Sequence, residues 1–394
     1  MARNKRKNEE YRGFEQGPIR PPSEAASLLL RVTRNCPWNR CAFCPVYKGQ
    51  RFSLRSAEDV IADIDAMADI ADEIERIAEA LDPAPATAAA ARELALRALL
   101  MRHGGNEALQ VGLFVLGGAR HAFLQDANTL VLKTERLLPI VHHLVARFPS
   151  LTRITSSARS HTLVRRSVAE LAQLRAAGLD RIHVGIESGA DSVLQLAAKG
   201  VDAAKQIDGG LRAKEAGMEL SCYVMPGLGG RALSGEHLHG TAAVLRAVDP
   251  HFIRLRTLAI PPASPLAELE QDGDFEPLGE VEIAAEIRAL LAQLEGLHGT
   301  VRSDHILNLL EGVAGELPGD LPRMLQVLDR FLELPGEQQE LFIVGRRLGL
   351  WRQLDELGDE ERVERAAEAR ERLLARYPGR SLDQAIRALM TRFV

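Results

Sequence analysis

Short apolar runs at 27–33, 119–124, 153–157, 181–186, 219–225 and 252–258 alternate with stretches in which alanine, leucine and isoleucine recur at helical spacing. Read as strands and helices, they give six strands separated by helices. Repeated βα units imply parallel strands with right-handed crossovers. The helices fall at 137–148, 168–177, 191–198, 203–216 and 237–248, with Pro139 in the first turn of the first, and Gly178 and Gly217 closing two others. Between the first two strands the helical pattern runs over 56–103, with Ser56 as N-cap and a break at 82–85. That is longer than one crossover needs; it reads either as a cap over a site or as a side layer. After Ile260 the strand signal fades, and helices are expected at 280–297, 303–311, 322–332, 337–348 and 359–377. The expected architecture is α/β: a partial (β/α)6 TIM-type barrel with a helical insertion after its first loop and a helical C-terminal region. The boundaries are 1–26 for an N-terminal extension, 27–270 for the barrel with its insertion at 56–103, and 271–394 for the C-terminal region. The extension is polar and proline-bearing, and is expected to wrap the surface.

Composition narrows the function classes. The 394 residues carry a formal charge of −5, which gives no sign of a nucleic-acid or membrane surface. No run reaches the length of a membrane span, and the charged start does not read as a secretory signal. Four cysteines without such a signal point to a reducing cytoplasm.

Three of those cysteines lie in one stretch, Asn35-Cys36-Pro37-Trp38-Asn39-Arg40-Cys41-Ala42-Phe43-Cys44-Pro45. Thiols this close, just after a buried strand, suit a metal or an iron–sulfur cluster better than disulfides. An odd count leaves one iron of a four-iron cluster without a protein ligand. The competing readings are a structural zinc site, which Cys222 would have to close, and plain buried thiols.

The C-x4-C-x2-C loop, with Phe43 before its last cysteine, resembles the cluster loop of the radical S-adenosylmethionine (SAM) enzymes, whose usual spacing is three residues then two. Glu187-Ser188-Gly189 resembles that family's strand end, and Asp191, Leu194 and Lys199-Gly200 continue the likeness. With Val224-Met225-Pro226-Gly227-Leu228-Gly229-Gly230, the core looks most like the branch of oxygen-independent coproporphyrinogen oxidases and methylthiotransferases. The resemblance implies a [4Fe-4S] cluster on Cys36, Cys41 and Cys44. It also implies SAM on the open iron, reductive cleavage of SAM, and radical chemistry on an unidentified organic substrate. An external one-electron donor such as flavodoxin or ferredoxin is implied as well. The residues it assigns to SAM are Phe43, Asp126, Arg159, Glu187, Ser188 and Gly227. An iron–sulfur electron carrier or chaperone-like protein without SAM cleavage is the alternative.

Two further groups stand out. Arg254 and Arg256 share one side of a strand and point either to an anionic group, on substrate or on SAM, or to a salt bridge with an internal Asp or Glu. Arg302-Ser303-Asp304-His305 with Asn308 gathers polar side chains at an expected helix start, either as a cap or as substrate ligands.

Overall fold

The computed structural model describes residues 13–82, 88–103 and 105–391; the expected break at 83–85 lies outside them. Its main sheet has eight strands in the order β1 (Leu28–Arg31), β4 (His121–Gln125), β5 (Arg153–Ala158), β6 (Leu179–Glu187), β7 (Glu219–Val224), β8 (Phe252–Leu255), β9 (Thr300–Arg302) and β10 (Gly315–Glu316). The first seven pair in parallel, and β10 runs antiparallel to β9. The six expected strands are all present and the sheet goes one parallel strand further. β9 escaped notice because it is three residues long and ends on an arginine. A two-stranded ribbon, β2 (Thr33–Arg34) with β3 (Ser53–Leu54), ties off the ends of the cysteine loop.

Side chains alternate across the sheet as the pleat requires. Leu28, Leu30, Ala122, Leu124, Ile182, Val184, Leu220, Cys222, Ile253, Leu255 and Val301 join the helix-facing core. The opposite, concave face carries Arg31, Gln125, Thr155, His183, Ser221, Tyr223 and Arg254. Such polarity on a parallel sheet, usually apolar on both faces, marks the inner face as working surface.

The insertion is a side layer, not a lid. α1 (Ala57–Leu81), α2 (Ala88–His103) and α3 (Asn106–Leu116) pack on one another, with α1 and α3 on β1. Val60, Ile64, Met67, Ile70, Val111 and Phe114 are buried in the main core.

Two local expectations change. The helix α4 runs Thr134–Arg147, so Pro139 lies inside it rather than in its first turn. Residues 303–311 do not form a helix: β9 precedes them, and Asn308 accepts from the Thr257 backbone N–H (2.9 Å) while donating to the Leu255 carbonyl (2.8 Å).

Within the N-terminal segment, residues 13–26 do not wrap the surface. Residues 13–26 cross the concave face of the sheet. Gly17 N–H donates to Gln125 Oε1 (2.9 Å), and Gln125 Nε2 donates to the carbonyls of Gly17 (3.1 Å) and Ile19 (3.0 Å). Glu24, fully buried, faces Arg153 (3.2 Å) and His183 (3.4 Å) and accepts from Ser27 Oγ (2.6 Å). Burial alone would raise the Glu24 carboxyl, but the His183 hydrogen bond and the Arg153 guanidinium hold it down at about 2. The polar, proline-bearing composition that suggested a surface strap is the composition a polar inner face accepts.

β9 and β10 fall beyond the boundary expected at 270, and past β10 the chain is helical. The elements used below are α9 (Gly230–Val248) in the barrel and, beyond it, α11 (Glu280–Ala292), α13 (Gly336–Arg347) and α14 (Glu360–Arg376). No helix among the described residues is long and apolar enough to cross a membrane.

Candidate functional site

The cysteine loop leaves the C-terminal end of β1, the end at which parallel barrels place their loops and their chemistry. Two clamps fix it. The first is Asp126, just past β4 and fully buried. Its carboxylate accepts from Arg31 Nε (2.8 Å), from the Asn35 backbone N–H (3.0 Å) and from Tyr47 Oη (2.8 Å). One side chain therefore pins the residue before Cys36 and the residue three beyond Cys44. Burial, with Asp126 beside it, pushes the Tyr47 hydroxyl far up, so it stays a donor. Asp126 is walled in by these partners and braces the loop.

The second clamp is the turn 197–200 after α7 (Asp191–Leu196). Ala42 N–H donates to the Ala197 carbonyl (2.8 Å), and Trp38 Nε1–H to that of Ala198 (2.8 Å). Gly200 has φ +68°, and a Cβ there would lie 2.2 Å from the Trp38 ring, so only glycine seats the indole. The Arg159 guanidinium lies 4.9 Å from the Trp38 ring centroid and donates to the Lys199 carbonyl (2.5 Å). Inside the loop, Asn39 takes φ 47° and its N–H approaches Cys36 Sγ at 3.4 Å. A left-handed turn at an asparagine turns the loop between Cys36 and Cys41 back toward Cys36 Sγ.

All three cysteines are half-buried. Burial pushes the Cys41 thiol up, and Lys199 and Arg159 pull it back. Burial likewise raises Cys44, with the Val46 N–H and the cations Lys199 and Arg256 opposing. Cys44 feels both Cys36 and Cys41, so the three sulfurs share one electrostatic neighbourhood. Among the described residues, no three His, Cys, Asp or Glu side chains converge tightly enough to hold a single metal ion. Cys222 is wholly buried on the helix-facing side of β7, where burial pushes its thiol well up. A four-ligand zinc site closed by Cys222 therefore has no basis here. Three soft thiols without a fourth, ringed by cations, fit a polynuclear iron–sulfur cluster.

Facing the loop is a charged wall from the neighbouring strand ends. Glu187 ends β6 at φ 65°, a strained backbone for a side-chain-bearing residue. Its Oε1 lies 2.9 Å from Lys199 Nζ, and a Cβ at Gly185 would collide with both groups. Burial alone would lower the Lys199 pKa, but Glu187 and Cys41 outweigh it, so the ammonium stays charged. It also sits 5.6 Å from the Phe43 ring centroid. Arg256, just past β8, donates its backbone N–H to the Val224 carbonyl (2.9 Å); its side chain has no hydrogen-bond or ion-pair partner among the described residues and lies near Cys44 and His305.

The sequence-read residues separate accordingly. Cys36, Cys41, Cys44, Phe43, Arg159 and Glu187 come together. Ser188 turns away: its Oγ meets the Ala190 N–H (3.1 Å) and His237 Nδ1 (2.9 Å) on α9. Gly227 (φ +85°) donates its N–H to Glu286 Oε1 (2.6 Å) and packs toward Ile283. Sequence reasoning missed Trp38, Tyr47 and Arg31 as loop braces. Their only signal was closeness to the cysteines. It named Lys199 without assigning it a role.

No family model matches the sequence, and no curated protein matches it. Solved structures to which the chain is similar include the following three. One is the archaeal Methanocaldococcus infernus Elp3 with an N-terminal deletion (13% identity, 60% of this chain and 60% of that one, TM-score 0.43). Another is methylornithine synthase PylB (14%, 68% and 63%, 0.42). The third is the radical S-adenosylmethionine methyltransferase TsrM from Kitasatospora setae, solved with cobalamin and a [4Fe-4S] cluster (14%, 91% and 65%, 0.43). The chain spans less than two thirds of the length of each. Likeness of this size is too slight to transfer an activity.

Proposed function

We propose that this chain is a radical SAM enzyme, with a [4Fe-4S] cluster on Cys36, Cys41 and Cys44 and SAM at the fourth iron, acting on a small or medium organic substrate. The observation that carries the reading is the doubly clamped loop: it presents three thiols and no fourth at the C-terminal end of a parallel sheet. When bound, such a cluster passes one electron to the sulfonium of SAM and breaks a carbon–sulfur bond, which starts radical chemistry. A one-electron donor such as flavodoxin or ferredoxin supplies that electron.

The chain's own groups suit the remaining tasks. Lys199, Arg159 and Arg256 offset the charge of three thiolates. Arg159 and Arg256 offer guanidinium forks to the carboxylate of SAM or substrate. Glu187 offers an acceptor to an amino group or a ribose. Phe43 and Ala42 pack with Val193, Ala197, Met225, Leu228, Leu258 and Leu266 and keep water from one side of the loop.

A second reading is favoured by the Lys199–Glu187 pair, which already satisfies one oxygen of the carboxylate assigned to SAM. It is a cluster protein that never cleaves SAM. Anaerobic reconstitution separates metal binding from that question. About four irons per chain are expected, as a cubane requires, and Cys41→Ala abolishes the broad visible absorbance. Iron content unchanged in that variant rejects the ligand assignment. Calorimetry then reads SAM binding to the loaded protein, and Glu187→Ala weakens it. Equal affinity in that variant removes Glu187 from the SAM site.

A further inference from the structure

Past β9 on the rim that carries the cysteine loop, a cleft of about 750 Å3 opens between residues 302–314 and the C-terminal end of α13. Four arginines line it: Arg302, Arg346, Arg347 and Arg352. Its two acidic lining groups are already engaged: Asp304 with Arg254 (2.8 Å) and Glu311 with Arg346 (2.6 Å). Arg347 is held by Glu280 (2.7 Å). The side chains of Arg302 and Arg352, both exposed, have no carboxylate partner among the described residues, although the Arg352 backbone N–H donates to Glu356 Oε2 (2.6 Å). Arg346 is 7% exposed, and its Nε–H has no acceptor.

These facts ask for an anion. Like charges around a void repel one another, and an anion between them relieves that repulsion. The C-terminal dipole of α13 accounts for arginines at 346 and 347. It does not account for Arg302, which arrives from β9, or for Arg352, which lies beyond the helix. Guanidinium forks match the paired oxygens of carboxylate and phosphate, which a lysine cluster would not. The volume falls within the range of about 300–1,000 Å3 usual for small-molecule sites. Asp304 also links the cleft to the concave face through Arg254.

We propose that this cleft binds a small polyanion, phosphorylated or multiply carboxylated, through Arg302, Arg346 and Arg352. Calling that ligand the substrate rests on the function proposed above; its binding does not. The test is calorimetry on the full chain without cluster, at fixed ionic strength, titrating inorganic pyrophosphate in one arm and citrate in the other. Saturable one-site binding is expected in at least one arm. R302Q/R352Q weakens it about tenfold or more, as loss of two charge-assisted contacts implies. R372Q, at an exposed arginine paired with Glu368 on α14, leaves it unchanged. Tighter pyrophosphate identifies a phosphorylated ligand, and tighter citrate a carboxylated one. No saturable binding in either arm, or equal weakening in R372Q and R302Q/R352Q, overturns the proposal. Cys41→Ala is expected to retain the binding, so failure of the cluster reading and failure of this one are read separately. Unchanged melting temperatures exclude misfolding of these surface variants.

Discussion

At Asp126 a single carboxylate serves three donors on two sides of the cysteine loop while its own backbone sits at φ 77°. The strain is tolerated because its partners fix its place. Asp126→Asn keeps the shape and removes the charge that Arg31 faces. A stability loss of about 1–2 kcal/mol in urea titration is expected, since a charge-assisted contact becomes a neutral one while Arg31 keeps Glu15 (2.8 Å). Reconstituted iron should fall with it, and full iron at unchanged stability would show that the loop holds without this brace. Gly200→Ala tests the second clamp. Its added methyl meets the Trp38 ring, so Trp38 must leave the Ala198 carbonyl. Lower iron loading is expected at little cost to global unfolding, since Trp38 lies outside the main core. Loading equal to the parent chain would separate Trp38 from the cluster loop.

At the level of elements, β6 and α9 meet through Ser188 and His237. His237 is buried, and burial pulls it down to about 4 from its ordinary 6.5. The unfolded chain therefore binds a proton in that interval that the native chain refuses. The contribution is complete above pH 6.5 and is lost as pH falls toward 4, amounting to roughly 3 kcal/mol. Urea midpoints across that span should show a shallower pH slope in His237→Gln than in the parent. Equal slopes would place the proton uptake elsewhere.

The same scale shows what was legible in the sequence. The βα alternation was readable from periodicity because long parallel strands bury apolar faces. β9 was not, because three residues give no period. The residues 13–26 were misplaced because a polar segment looks alike against solvent and against a polar concave face. Cys36, Cys41, Cys44, Arg159 and Glu187 were singled out by type, by place at strand ends and by resemblance, and the structure brings them together. Trp38, Tyr47 and Arg31 act by holding the loop, and that depends on contacts which spacing does not encode.

At the scale of the molecule, the chain arranges a helical side layer on one edge, a helical region on the other, and a concave polar face between them. The cysteine loop and the arginine-lined cleft both open at the C-terminal ends of its strands. Under the function proposed above, the loop takes an electron and a sulfonium, and the cleft an anionic partner. The most direct test reduces the reconstituted protein with dithionite, anaerobically, in the presence of SAM, and measures 5′-deoxyadenosine. The account predicts its release by the parent chain and none from Cys41→Ala. A fully loaded, reduced parent chain that leaves SAM intact would contradict it.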